Sequence, residues 1–115
     1  MASNETYRIS TIELIPQPTE HEWTDYLDPL GFDGNGAPFF KKYYALTLRC
    51  PLDLCGHEWY QWADGTVRSI YVPSPGAPDV FAAYSGTYVA SVREGVSMKK
   101  SGQRGVEMVI RGIQV

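Results

Sequence analysis

The sequence is short of the residues on which most small-protein chemistry depends. Its 115 residues hold two histidines, His21 and His57, and two cysteines, Cys50 and Cys55. Two cysteines are too few for a disulfide scaffold, and five residues apart, with no second ligand pair, they match neither a redox nor a zinc spacing. They read as small buried residues in a reducing cytoplasm. His57-Glu58 lacks the second histidine four residues on that a helical zinc site requires; Gln61 stands there. Tyr84-Ser85-Gly86 lacks the first glycine of a nucleophile elbow, and phosphate cradles of the Walker or dinucleotide type are missing. Glu58 and Asp64 are more simply the polar face and end of a short helix than a catalytic pair. The expectation is therefore no enzyme, no cofactor and no metal. No apolar run approaches the roughly eighteen residues of a membrane span. Residues 1–7 are polar and do not read as a secretory leader.

Charge is also scarce. Charged residues make up 20% of the chain, the net charge is −3 and the isoelectric point is about 5.3, which lacks the basic footprint of a nucleic-acid binder. The distribution is uneven. Residues 1–33 carry seven acids against Arg8 alone, a balance of −6, while residues 34–115 carry six acids against nine bases, a balance of +3. One reading is ordinary solvated surface; the other is a molecule with faces of opposite sign, suited to stacking on copies of itself.

Aromatic residues are plentiful. Eight Tyr, four Phe and three Trp stand beside eleven Gly and eight Pro. This composition points to a β-rich fold with many turns and half-buried surfaces, and the length to one domain over 1–115. Residues 7–15 read as a strand closed by Pro16 and Pro18. Residues 17–38 read as a long loop whose Trp23, Tyr26 and Phe32 pack on the domain or on a neighbour. Within it, Asp33-Gly34-Asn35-Gly36 is a turn rather than a calcium loop, because Pro38, Phe39 and Phe40 occupy the positions where ligands would follow. Residues 39–50 alternate, with Tyr44, Leu46, Leu48 and Cys50 on one face and Tyr43, Ala45, Thr47 and Arg49 on the other.

A helix of about ten residues follows, with Asp53 as N-cap, Gly65 at its end and a Cys55/Trp59/Trp62 stripe buried against a sheet. Residues 67–72, 80–92 and 106–113 read as further strands, and 73–78 as a stiff Pro-rich connection. Residues 93–105 form a mobile basic hairpin arm bearing Lys99, Lys100 and Arg104. The fold class is mainly β, an antiparallel sandwich or barrel with one short α-helix. Tyr43, Tyr44, Trp59, Tyr60, Trp62, Tyr71, Tyr84 and Tyr88 could alternatively line a carbohydrate platform in a monomeric β-sandwich.

The order of strand, long loop, strand, short helix, strand, Pro/Gly connection and C-terminal hairpin resembles the tail-tube-like fold of tailed bacteriophages. That fold is shared by tail tube, tail terminator and distal tail proteins. The runs that carry the resemblance are Trp59-Tyr60-Gln61-Trp62-Ala63-Asp64-Gly65-Thr66-Val67-Arg68-Ser69-Ile70, Phe81-Ala82-Ala83-Tyr84 and Gly105-Val106-Glu107-Met108-Val109-Ile110-Arg111-Gly112-Ile113. The resemblance implies a structural virion protein, assembled in the host cytoplasm, whose hexameric rings stack around a channel. DNA would be a passing, non-specific cargo, and other tail proteins would be partners. It implies that Trp23, Tyr26, Phe32, Lys99, Lys100 and Arg104 meet neighbouring subunits, and that Glu13 and Glu107 face an acidic lumen. A virion decoration or head–tail joining protein would share the same layout.

Overall fold

A computed structural model describes residues 6–55 and 58–114, with the side chain of Cys55 outside the description. Seven strands are described: β1 (Arg8–Ile9), β2 (Ile12–Glu13), β3 (Glu20–Phe32), β4 (Pro38–Pro51), β5 (Arg68–Ser74), β6 (Ala77–Ser97) and β7 (Arg104–Ile113). They form one antiparallel sheet in the order β2-β1-β5-β6-β7-β4-β3. A short helix, α1 (Leu52–Cys55), and a 3-10 turn, Glu58–Trp62, join β4 to β5.

The sheet folds over because β6 serves both halves. Its first part pairs with β5 and its second, from Tyr88 onward, with β7, with Gly86 at a φ of +71° near the changeover. Ile9, Ile70 and Val72 from one half meet Leu46, Leu48, Cys50, Val89, Val106, Met108, Ile110 and Ile113 from the other. The alternation read in β4 holds: Leu46, Leu48 and Cys50 are fully buried, and Thr47 and Arg49 lie on the opposite face. Gly112 lies against the β6 changeover and has no room for a side chain. A Cβ there would sit 2.7 Å from the Gly86 carbonyl oxygen, and its φ of +91° also favours glycine.

Five sequence expectations are corrected. The strand over 7–15 is a small hairpin, β1 and β2, reversing at Ser10 with a φ of +56°. Gln17 knits its base, donating from Nε2 to the Tyr7 and Leu14 carbonyls and accepting from the Tyr7 N–H. The supposed loop 17–38 is mostly β3, which pairs with β4 over twelve positions and shifts register between Pro29 and Gly31. Proline is tolerated there because β3 lies at the sheet edge. The ten-residue helix is instead four α-helical residues and a separate 3-10 turn, so Asp53 lies within α1 rather than capping it. The Pro-rich stretch 73–78 is a tight reversal at Pro75-Gly76 between β5 and β6. The remaining two C-terminal strands are longer than expected, which shortens the 93–105 arm to a 98–103 turn.

Trp59 joins the 3-10 turn to the core. It is fully buried, and its indole N–H donates to the Pro16 carbonyl at 2.9 Å. Trp62 packs beside the core, with the Arg68 guanidinium 5.2 Å from its ring centre. Arg68 also grips Asp64 through two hydrogen bonds of 2.9 and 2.7 Å, which hold the Asp64 carboxyl well below the usual carboxylate range. Trp59→Ala should cost about 3–5 kcal/mol through the cavity it leaves. Trp59→Phe should cost about 1–3 kcal/mol, because the Pro16 carbonyl loses its donor. Urea unfolding of both variants checks the ranking, and a Trp59→Phe variant as stable as the wild type would mean the N–H contributes nothing.

Candidate functional site

Two features stand out from the fold, and both are built on β3 and β4. The first is a projecting hairpin. The last rung between β4 and β7 joins Tyr44 to Ile113, and beyond it, among the described residues, β3 and β4 pair only with each other. The chain is elongated accordingly, 54 × 33 × 26 Å, with a radius of gyration of 15.5 Å. A compact chain of this length would have about 13 Å. The turn at the tip is closed by the Asp33 N–H to the Ala37 carbonyl, and by Asp33 Oδ1 accepting from the Asn35 and Ala37 N–H groups. The hairpin exposes large apolar side chains: Leu27, Leu30, Phe32, Phe39 and Phe40, with Phe32 72% accessible.

The root of the hairpin is aromatic. Tyr26 and Tyr43 stack with centroids 5.9 Å apart, and the guanidinium of Arg111 lies 5.8 Å from the Tyr26 ring centre. With Tyr88 they line an open groove of about 280 Å³ floored by Gly86 and Gly112. Trp23 sits on the core side, edge-on to Tyr44, and its indole N–H is buried without a hydrogen-bond partner.

The second feature is a ladder of alternating charge across the outer face of the β6-β7-β4-β3 half. Lys99 Nζ lies 2.8 Å from Glu22, whose other oxygen is 3.1 Å from Arg49; Arg49 reaches Glu107 at 3.2 Å, and Glu107 reaches Arg93 at 3.1 Å. The cross-strand register places these groups together: Glu107 is opposite both Arg49 on β4 and Arg93 on β6. Arg49 and Glu107 are largely buried, at 11% and 10% side-chain exposure, whereas Arg93 is 68% exposed. Hydrogen bonds from Lys99 and Arg49 hold the Glu22 carboxyl below its ordinary range.

Beside the ladder, Glu20 is 8% exposed, and its two carboxylate oxygens accept from the backbone N–H groups of Lys99 and Lys100, each at 3.0 Å. The bond from Lys100, followed by that from Lys99 and the nearby Arg49, holds its carboxyl low. Met98, at the base of the same turn, is 3% exposed. The arm expected to be mobile is therefore tied to β3.

These contacts also correct the two-faced charge reading. Three acids of the first third, all on β3, lie against bases elsewhere in the same chain: Asp25 on Lys42 at 3.2 Å, Asp28 opposite Lys41 across the strands, Glu22 on Arg49 and Lys99. The split in sequence largely cancels in space.

The residues singled out by sequence fall into separate places. Phe32 is at the exposed tip, Tyr26 at the hairpin root and Trp23 against the core. Lys99 and Lys100 are in the tethered turn, and Arg104 is exposed at the start of β7. Glu13 is exposed on β2, separated by three strands from β7 and Glu107, which is buried between two arginines. The aromatics do not gather into one platform: Trp59, Tyr44, Trp62 and Tyr84 belong to the core or its margin, while Tyr26, Tyr43 and Tyr88 line the root groove. His21 is engaged by the Tyr7 hydroxyl, 3.0 Å from its Nδ1, and burial pushes the Tyr7 phenol up to about 12. Sequence reasoning missed Glu20, Glu22, Arg49 and Arg93. The alternation of Glu20, Glu22, Thr24 and Tyr26 was the available signal, masked by the prolines and glycines around it.

Arg49→Met should destabilise the chain by about 2–3 kcal/mol, since it leaves buried Glu107 with only the exposed Arg93. Arg93→Ala should cost less than about 1 kcal/mol, as exposed pairs usually do. The double variant Arg49→Met/Glu107→Leu should recover part of the Arg49→Met loss. Denaturant melts of the three proteins check this, and additive losses in the double variant would contradict the ladder as one coupled network.

No protein-family model matches the chain, and no curated protein matches it. Among solved structures, it is similar to the cap of the anti-feeding prophage, described as a tube-terminating cap. The match has a TM-score of 0.54 at 13% identity and covers 95% of this chain and 83% of that one. A looser match, with a TM-score of 0.49 at 15% identity, is to a chain of the PVC extracellular contractile injection system, from its sheath–tube complex in the extended state; it covers 92% of this chain and 82% of that one. The chain shares the fold of the anti-feeding prophage cap protein.

Proposed function

We propose that the chain is a structural subunit of a phage-tail-like particle that joins copies of itself into a ring, hexameric as in the tail-tube-like family it resembles. The observation that carries this reading is the β3–β4 hairpin. An isolated two-stranded hairpin is marginal in water. This one nevertheless extends past β7 with Leu27, Leu30, Phe32, Phe39 and Phe40 exposed, so a second surface must cover it. The outer edge of β3 has no strand partner among the described residues, and such an edge invites pairing with another chain. The shared fold with a tube-terminating cap along 95% of the chain supports a place in a tail assembly, beside other tail proteins.

In this ring the hairpin, with Tyr26 and Phe32, reaches a neighbouring subunit, and the buried Trp23 N–H at its root gains an acceptor there. Lys99, Lys100 and Arg104 face the next ring. The outer face bearing Glu107 lines a passage for DNA. Because Arg49, Arg93 and Lys99 alternate with Glu22 and Glu107 on that face, the wall is close to neutral and would neither strongly hold nor strongly repel a passing polyanion. Joining edge to edge would bring the β2 edge of one copy, with Glu13, beside the β3 edge of the next.

Phe32→Ser/Phe40→Ser tests the reading, since both side chains are exposed and their loss leaves the core intact. The wild-type protein should form rings or stacks in negative-stain images and light scattering, and the double variant should remain a folded monomer. A wild-type chain that is monomeric at high concentration, or a double variant that assembles normally, would overturn it.

A further inference from the structure

The 98–103 turn is built as if to be held or released. Within it, the Met98 N–H donates to the Gln103 carbonyl and the Gly102 N–H to the Met98 carbonyl, both at 2.8 Å, while Ser101 Oγ donates to Gln103 Oε1 and accepts from the Gln103 N–H; none of these bonds uses the N–H groups of Lys99 and Lys100. The N–H groups of Lys99 and Lys100 at its crest point away from it. They are satisfied by one carboxylate, Glu20, which lies 79 and 80 residues earlier in the chain. A glutamine at position 20 could offer only one acceptor oxygen to the same pair, and its amide nitrogen would face a donor. The contact is therefore specific for the ionised acid.

Everything packed around Glu20 bears on its ionisation. Glu22 and His21 lie beside it on β3, Arg49 faces it from β4, and Lys99 and Lys100 face it from the turn. Glu107 on β7 and Arg93 on β6 act on it only through Arg49. The facing cations outnumber the acids in direct contact, which favours the carboxylate. The ladder from Glu22 to Arg93 does not involve the Glu20 oxygens, so it would survive loss of the latch.

We propose that Glu20 is an acid-released latch: ionised, it fixes the 98–103 turn on β3, and neutralised, it frees that turn while the sheet stays folded. The sign follows from the chemistry. A carboxyl whose folded-state pKa lies below that of the unfolded chain contributes stability above the unfolded value, about 4.3, and loses it as pH falls through the folded one. The latch is thus closed at neutral pH and opens only once the pH falls below the ordinary carboxylate range. What it controls is the presentation of Met98, Lys99 and Lys100, including the two lysines assigned above to stacking. The latch itself is a property of one chain and does not depend on any assembly.

Limited trypsin digestion at neutral pH tests this directly, because Lys99 and Lys100 are cleavage sites within the turn. Glu20→Gln should raise cleavage after these lysines at least about tenfold if an exposed turn replaces a bonded one, with an unchanged circular dichroism spectrum. Glu13→Gln, on exposed β2, should leave the rate at the wild-type value. In the wild-type protein, the amide proton resonances of Lys99 and Lys100 should shift upfield together with the Glu20 carboxyl titration, at a common midpoint below 4.3. This measurement stands even if Glu20→Gln fails to fold. Unchanged cleavage in a folded Glu20→Gln variant, or amide resonances that do not follow Glu20, would overturn the latch. Neither outcome depends on whether rings form.

Discussion

The pairing of β3 with β4 is the contact on which the rest of the molecule depends. Twelve rungs, broken by one bulge at Leu30, bring an acidic strand against one that carries Lys41, Lys42 and Arg49. The same pairing gives β4 its two faces. The even-numbered face builds the core through Leu46, Leu48 and Cys50, and the odd-numbered face places Arg49 between Glu22 and Glu107. The far end of the pair, left without a third strand beyond Tyr44, becomes the projecting hairpin. Core, charge ladder and candidate contact surface are three consequences of one register. A slip of one residue would exchange the two faces of β3, moving Trp23 off the core and Glu20 away from the turn.

Much of the fold was legible where the period-2 pattern was clean. The second half of β4 alternates apart from buried Ala45, and its core face at Leu46, Leu48 and Cys50 was read residue by residue. β7 was readable from its apolar content, although it is buried on both faces. β3 was not, because Pro29, Gly31 and Gly34 look like loop punctuation. At a sheet edge a proline leaves no ladder bond unmade on the solvent side, and a bulge absorbs the glycine. The helix failed for a related reason. Asp53, Cys55, Trp59 and Trp62 have helical spacing, but Trp59 must enter the core and reach the Pro16 carbonyl, and tertiary packing overrode the local period.

The site was harder to read than the fold. Phe32 and Tyr26 were visible as aromatics that had to pack on something. The ladder was not, because its members are 27 and 58 residues apart in sequence and meet only through the sheet register. The charge count misled for the same reason. A balance of −6 in one stretch and +3 in the remainder suggests opposite faces only if the two parts stay apart. Here the acidic stretch is a strand whose neighbours are the basic ones. Composition measures how much charge a chain has; pairing determines how much of it the surroundings feel.

The cancellation bears on how copies could meet. With the acids of β3 engaged within the chain, long-range attraction between opposite poles is weak, and the strongest unmet demand is apolar. Exposed Leu27, Leu30, Phe32, Phe39 and Phe40 provide a short-range, non-directional attraction, while the free β3 edge provides direction through its backbone groups. An apolar contact alone would tolerate many orientations, and an edge contact alone would be weak. Together on one hairpin they specify a single geometry. A hairpin that docks on a different surface of the next copy makes a head-to-tail contact, and repetition of such a contact closes into a ring when the rotation per copy divides a full turn. In such a contact the stiffness of the rotation would be set at the hairpin root, where the Tyr26–Tyr43 stack, the Arg111 cation beside it and the Trp23–Tyr44 contact hold the arm to the core.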